Sequence, residues 1–113
     1  MHAEDALEMA TIGGAVAIGQ ADDIGSLEEG KRADIVLVDL AQPHTSPVRD
    51  PVSNLVYAAR GANVATVIVN GEVLMRDGVI TVCDERAVMT AAARAASDVD
   101  RILPSSVPRW PYV

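Results

Sequence analysis

Hydrophobic positions along this chain recur first at helical spacing and then at strand spacing. Over residues 3–18, Glu4, Ala6, Leu7, Glu8, Met9 and Ala10 are helix formers, and Leu7, Ala10, Gly14 and Ile18 fall on one face, which predicts a helix stopped by Gly19. Gly13, Gly14, Ala15 and Ala17 would let that helix lie close against another element. Its paired glycines weaken it by roughly 1 kcal/mol each relative to Ala, so it needs a partner. An acidic, glycine-punctuated loop over residues 21–32 leads into Ile35-Val36-Leu37-Val38, a continuous apolar run that predicts a buried strand. Pro43, Pro47 and Pro51 exclude a helix or central strand over residues 41–51, leaving an irregular crossing loop.

A short helix is predicted over residues 53–60, with Asp50 as N-cap, Pro51 at the first helical position and Gly61 as its stop. Val64, Thr66, Val67, Ile68 and Val69 make a β-branched strand, Asn70-Gly71 signals a type I′ hairpin, and Val73-Leu74-Met75 returns. Asp77-Gly78 repeats the signal before Val79-Ile80-Thr81-Val82, so a three-stranded meander is expected. Asp84 then caps a helix reaching about Leu103, with Val88, Ala91, Ala92, Ala95, Val99 and Ile102 on one face. The proline-containing tail, residues 104–113, should be extended.

Composition narrows this picture. The 113 residues allow one modest core, which Ala, Val, Ile and Leu must fill because aromatics make up 3% and Phe is absent. A net charge of −7 with no basic stripe argues against nucleic acid or an anionic membrane as partner. No apolar run is long enough to span a bilayer, and the start Met1-His2-Ala3-Glu4-Asp5 is acidic where a secretory signal is basic, so a cytoplasmic protein is expected. The lone Cys83 reads as a small buried or half-buried apolar residue.

Candidate chemistry is sparse. Gly25-Ser26-Leu27-Glu28-Glu29-Gly30-Lys31-Arg32 imitates a phosphate loop, but a strand follows it rather than a helix, Arg32 has no hydroxyl, and Glu28 and Glu29 would repel a triphosphate. It reads as a turn. His2 and His44 stand far apart, each without a histidine neighbour, and read as exposed or hydrogen-bonded side chains rather than metal ligands. The pairs Glu4-Asp5, Asp22-Asp23, Glu28-Glu29 and Asp84-Glu85 sit at helix starts or in loops, where capping or solvated acids are expected. Asp34 and Asp39 bracket the apolar strand and should make turn or cross-strand hydrogen bonds. Tyr57 and Trp110 read as packing anchors.

The order of these motifs carries a resemblance. Ala6-Leu7-Glu8-Met9-Ala10-Thr11 with Gly13-Gly14-Ala15, followed by Ile24-Gly25-Ser26-Leu27-Glu28-Glu29-Gly30-Lys31-Arg32-Ala33-Asp34, resembles the closing region of metal-dependent amidohydrolases. Asp50-Pro51-Val52-Ser53-Asn54-Leu55-Val56-Tyr57-Ala58-Ala59 and the Val69-Asn70-Gly71 hairpin narrow the likeness to the branch of adenosine-derivative deaminases, guanine deaminase and triazine chlorohydrolases. The resemblance implies an α+β chain: residues 1–20 as the remnant of the final barrel helix, and residues 21–113 as a β-domain segment with a terminal helix. It implies a small antiparallel meander flanked by helices and part of a composite β-sandwich, without a complete TIM barrel.

For the full-length parent the resemblance implies zinc or iron, and deamination or dechlorination of a nitrogen heterocycle. The family's ligands, a His-x-His pair, two later histidines and an aspartate, precede the region matched here. No catalytic, cofactor-binding or metal-ligating residue is therefore assigned to any position of this chain. Met1-His2 stand where the family's helix starts with a Ser or Thr cap, so an interrupted chain is expected. Because the family's small domain also takes strands from before the barrel, the implied partner is a second copy of the chain or the missing barrel part. A non-catalytic assembly module, or a subunit completing a separately encoded barrel, is the alternative reading.

Overall fold

A computed structural model describes residues 1–103 of the chain. Residues 1–82 form one compact unit, and a second begins at Cys83. The first unit contains helices α1 (Ala3–Ala10), α2 (Ile12–Ala17) and α3 (Pro51–Tyr57), and strands β1 (Ile35–Val38), β2 (Val64–Val69), β3 (Glu72–Arg76) and β4 (Val79–Ile80). The strands form one antiparallel sheet in the order β1-β2-β3-β4. The expected α+β meander is thus present, extended to four strands because Ile35 and Val36 pair with Ile68 and Val67.

Both hairpin turns form as their residue pairs require. Asn70 and Gly71 have φ of 50° and 82°, and Asp77 and Gly78 have 50° and 76°, the left-handed values of type I′ turns. β4 is shorter than the predicted run over residues 79–82. Beyond β4, Thr81 still donates its N–H to the Leu74 carbonyl at 2.9 Å, and its hydroxyl donates to the Val73 carbonyl at 2.7 Å.

The single helix expected over residues 3–18 is broken. Thr11 leaves helical geometry at φ −119°, ψ −105°, and its hydroxyl donates to the Leu7 carbonyl at 2.6 Å. Beyond the break, Cβ atoms at Gly13 and Gly14 would lie 3.0 and 3.1 Å from the Glu8 and Met9 carbonyl oxygens, so the paired glycines let α2 turn against the end of α1. The break shifts the helical phase, and Ala3 and Ala15, rather than the predicted Leu7, Ala10, Gly14 and Ile18, are the buried residues of these helices. Gly19 ends α2 with φ 70°, as expected of a C′ glycine.

α3 is opened as expected. Asp50 accepts from the Val52 and Ser53 backbone N–H groups at 3.1 and 3.3 Å, with Pro51 at the first position. The Ser53 hydroxyl, helped by those N–H groups, holds the Asp50 carboxyl below the usual carboxylate range. A depressed carboxylate stabilises the fold above its unfolded pKa, so this contribution is present at neutral pH and lost as pH falls through the lowered value. α3 ends at Tyr57, short of the predicted residue 60. Gly61 does not close it but starts a 3₁₀ turn, Gly61–Asn63, leading directly into β2.

Expectations about burial also fail in β1 and at Tyr57. Val36 and Leu37 are about half exposed, because β1 is an edge strand in this sheet rather than a strand covered on both faces. Tyr57 is exposed rather than an anchor, and only its hydroxyl is engaged, donating to the Met1 carbonyl at 3.1 Å. Among the described residues, Ala3 and Ala15 are the only buried apolar side chains; the other Val and Ile residues of the sheet are half-buried, and Val36, Val69 and Val79 are exposed.

In the second unit, α4 (Glu85–Ile102) is capped by Asp84, whose carboxylate accepts from the Ala87 N–H at 3.1 Å. Its predicted apolar face forms, and Val88, Val99 and Ile102 on it are exposed. Cys83, in the bend before α4, is exposed rather than buried. No described helix is long and apolar enough to cross a membrane. The predicted extended tail and Trp110 lie outside the described residues.

Candidate functional site

Two polar clusters occupy the loops that flank β1. The first is the entry turn. Gly25 and Gly30 take φ of 93° and 91°, which turns the chain back toward the sheet. Lys31 Nζ donates to Ser26 Oγ at 2.6 Å and pairs with Glu28 at 3.2 Å, while Ser26 Oγ donates to Glu28 Oε1 at 2.5 Å. The Ser26 hydroxyl, then Lys31, holds the Glu28 carboxyl below its usual range. The lysine is thereby used internally, and β1 follows the turn, so the phosphate-loop imitation is an ordinary turn.

The second cluster lies where β1 exits and β2 begins. Asn63, buried in its 3₁₀ turn, donates from Nδ2 to the Asp39 carbonyl at 2.8 Å and accepts at Oδ1 from the Arg60 N–H at 2.8 Å. These bonds fix which way the amide points. His44 Nε2 lies 2.9 Å from Asn63 Oδ1, so that nitrogen must carry the proton. Thr45, also buried, donates to the Leu40 carbonyl at 2.7 Å, and its own carbonyl accepts from Asn54 Nδ2 at 2.5 Å. The Gln42 amide and the Ala41 N–H hold the Asp39 carboxyl below its usual range. Among the described residues, no buried side-chain polar atom lacks a partner. The cluster is a closed structural network, not a reactive site with a free acid or base.

The remaining candidates are structural as well. Asp34 Oδ1 accepts from the Asn70 N–H at 2.6 Å, the cross-strand role expected of it. Asp5 accepts from the His2 N–H at 3.0 Å at the start of α1. An open groove of about 360 Å³ along α2 is lined by Ala10, Gly14, Ile18, Ile24 and Leu27, with Asp34 its single ionisable side chain. It contains no acid and base pair. Among the described residues, no group of three His, Cys, Asp or Glu side chains is placed to hold a metal ion.

Sequence reasoning missed the Asn63 and Thr45 network. Thr45 sits in a proline-rich loop and Asn63 beside Gly61, where polar residues ordinarily face solvent. Their burial is set by a meeting of segments about 20 residues apart, for which the local sequence holds no signal.

Comparison with known proteins gives these features a context. The pattern of the amidohydrolase family matches residues 1–74. The chain is 52% identical over 86 residues to a 5-methylthioadenosine/S-adenosylhomocysteine deaminase of Moorella thermoacetica, covering 76% of this chain and 20% of that protein. An adenosine deaminase from Xanthomonas campestris with bound zinc superposes with a TM-score of 0.85 at 35% identity, over 89% of this chain and 23% of that one. A zinc complex of an atrazine chlorohydrolase from Arthrobacter aurescens TC1 superposes with a TM-score of 0.72 at 36% identity, over 80% of this chain and 20% of that one. The chain spans about a fifth of the length of the curated relatives it matches. The donor set described above does not fit the zinc that these two structures contain.

Proposed function

The chain belongs to the amidohydrolase family, and from that premise we propose that it is a non-catalytic segment of a metal-dependent aminohydrolase acting in the cytoplasm. The reaction class is hydrolytic removal of an amino or similar leaving group from a nitrogen heterocycle, and an adenosine derivative is the substrate class that the likeness to the Moorella deaminase favours. The observation that carries the structural role is the state of the polar residues. Asp34, Asp39, Asp50, Asp84 and Glu28 are spent on caps, turns and strand junctions, and His44 is tied to Asn63. The segment holds a sheet and its helices in register and leaves the metal, zinc or iron, to other residues.

The purified chain is accordingly expected to retain no stoichiometric zinc or iron after dialysis and to release no ammonia from adenosine derivatives. Elemental analysis and a deaminase assay check this. One tightly held metal per chain, lost together with activity in a His44→Ala variant, would overturn the reading.

The open edge of β1 favours a second reading alongside the first. Val36 and Leu37 are exposed on a strand paired on one side only, an arrangement that invites another polypeptide, either a second copy or a barrel part. Light scattering at micromolar concentration is expected to give a dimer or larger species. A cooperatively melting monomer would count against it.

A further inference from the structure

The tip of the β2–β3 hairpin is held by the segment that enters β1. The Asn70 N–H donates to Asp34 Oδ1 at 2.6 Å, and the Gly71 N–H donates to the Ala33 carbonyl at 3.0 Å. Both tip residues are exposed, and nothing lies within 4 Å of where a Cβ on Gly71 would stand. The backbone nitrogen after the Asn70 side-chain amide is therefore sterically open and restrained by hydrogen bonding and turn geometry alone.

We propose that Asn70 is a site of spontaneous deamidation whose rate is set by whether Ala33 and Asp34 hold the hairpin tip. In this reaction the Gly71 nitrogen gives its proton to solvent and attacks Asn70 Cγ. The N–Cγ bond forms, the Cγ–Nδ2 bond breaks, and Nδ2 takes up a proton and leaves as ammonia. Water then opens the cyclic imide at either carbonyl, giving aspartate or isoaspartate, with no oxidant or reductant required. The proton that must leave is the one now donated to the Ala33 carbonyl, so that hydrogen bond must break before the nitrogen can attack. Reaction thus proceeds from the locally opened hairpin.

The product reinforces the opening. Aspartate places a second carboxylate beside Asp34, and isoaspartate adds a backbone atom to a two-residue turn; either loosens the β1–β2 junction. Asn54 and Asn63 are internal references. The first is followed by Leu55 within α3 and the second, buried, by Val64, so the attacking nitrogen in each is flanked by a side chain.

The test is peptide mass spectrometry of the full chain during incubation at neutral pH, beside a peptide containing residues 64–76. Conversion is expected at Asn70 before Asn54 or Asn63, and more slowly than in the peptide. Asp34→Ala should accelerate it about fivefold, the population shift produced by losing one ordinary, solvent-exposed hydrogen bond. Hydrogen exchange of the Gly71 amide should rise in the same proportion. Asp34→Asn keeps an oxygen acceptor and should stay near the wild-type rate, which separates loss of this bond from general unfolding. Equal rates in chain and peptide, equal rates in wild type and Asp34→Ala, or earlier conversion at Asn54 or Asn63 would overturn the proposal.

Discussion

Replacing Gly25 with alanine is expected to cost roughly 2 to 6 kcal/mol of stability, a larger loss than at any other glycine of this chain. The cost has two sources. Gly25 has φ of 93°, where a side chain strains the backbone by roughly 1 to 3 kcal/mol. A Cβ there would also lie 2.7 Å from the Ala15 Cβ, 2.9 Å from the Ile12 Cα and 3.2 Å from the Thr11 carbonyl oxygen. Two of those atoms are backbone and cannot swing aside, so overpacking adds about 1 to 3 kcal/mol.

Gly30 supplies the matched comparison. Its φ is 91°, but nothing lies within 4 Å of its would-be Cβ, so Gly30→Ala is expected to cost only the strain. Denaturant midpoints of the two variants therefore separate packing from backbone conformation. Equal losses would show that the entry turn does not press against α2.

Asn63→Ala is expected to destabilise the chain by roughly 2 to 4 kcal/mol, because it strips partners from two backbone groups at once. The Asp39 carbonyl loses its side-chain donor, and the Arg60 N–H loses its acceptor. Asn63→Asp would keep an oxygen for Arg60 and His44 but turn an acceptor toward the Asp39 carbonyl, so it should not rescue. His44→Ala removes one bond from an exposed side chain and should cost far less. Equilibrium unfolding in denaturant checks the order. A loss for His44→Ala matching that for Asn63→Ala would mean that the histidine, not the buried amide, holds the junction.

What the sequence revealed divides along a physical line. The Asn70-Gly71 and Asp77-Gly78 turns, the Asp50-Pro51 start of α3 and the Asp84 cap of α4 were legible because each depends on residues within one turn of each other. The break at Thr11 was not, since helical spacing continues through it and the hydroxyl's competing bond to Leu7 does not alter the pattern. The exposure of Val36 and Leu37 was hidden for another reason: an apolar run specifies a surface to be covered, not whether a neighbouring strand is there. The Asn63 network, joining residues from the proline-rich loop, α3 and the start of β2, was equally out of reach of local reasoning. The family was legible because it depends on the order of short motifs, most of which fall in turns and caps.

On the proposed function, this segment contributes a scaffold and no reacting group. Grafting the 86-residue stretch of this chain that matches the Moorella deaminase in place of its counterpart there tests it directly, with deaminase activity and zinc content as readouts. The chimera is expected to bind zinc and keep kcat/KM within about tenfold of the parent, equivalent to roughly 1.4 kcal/mol in the barrier. A folded, zinc-loaded chimera without activity would contradict the account, because it would place a group needed for the reaction in the replaced segment.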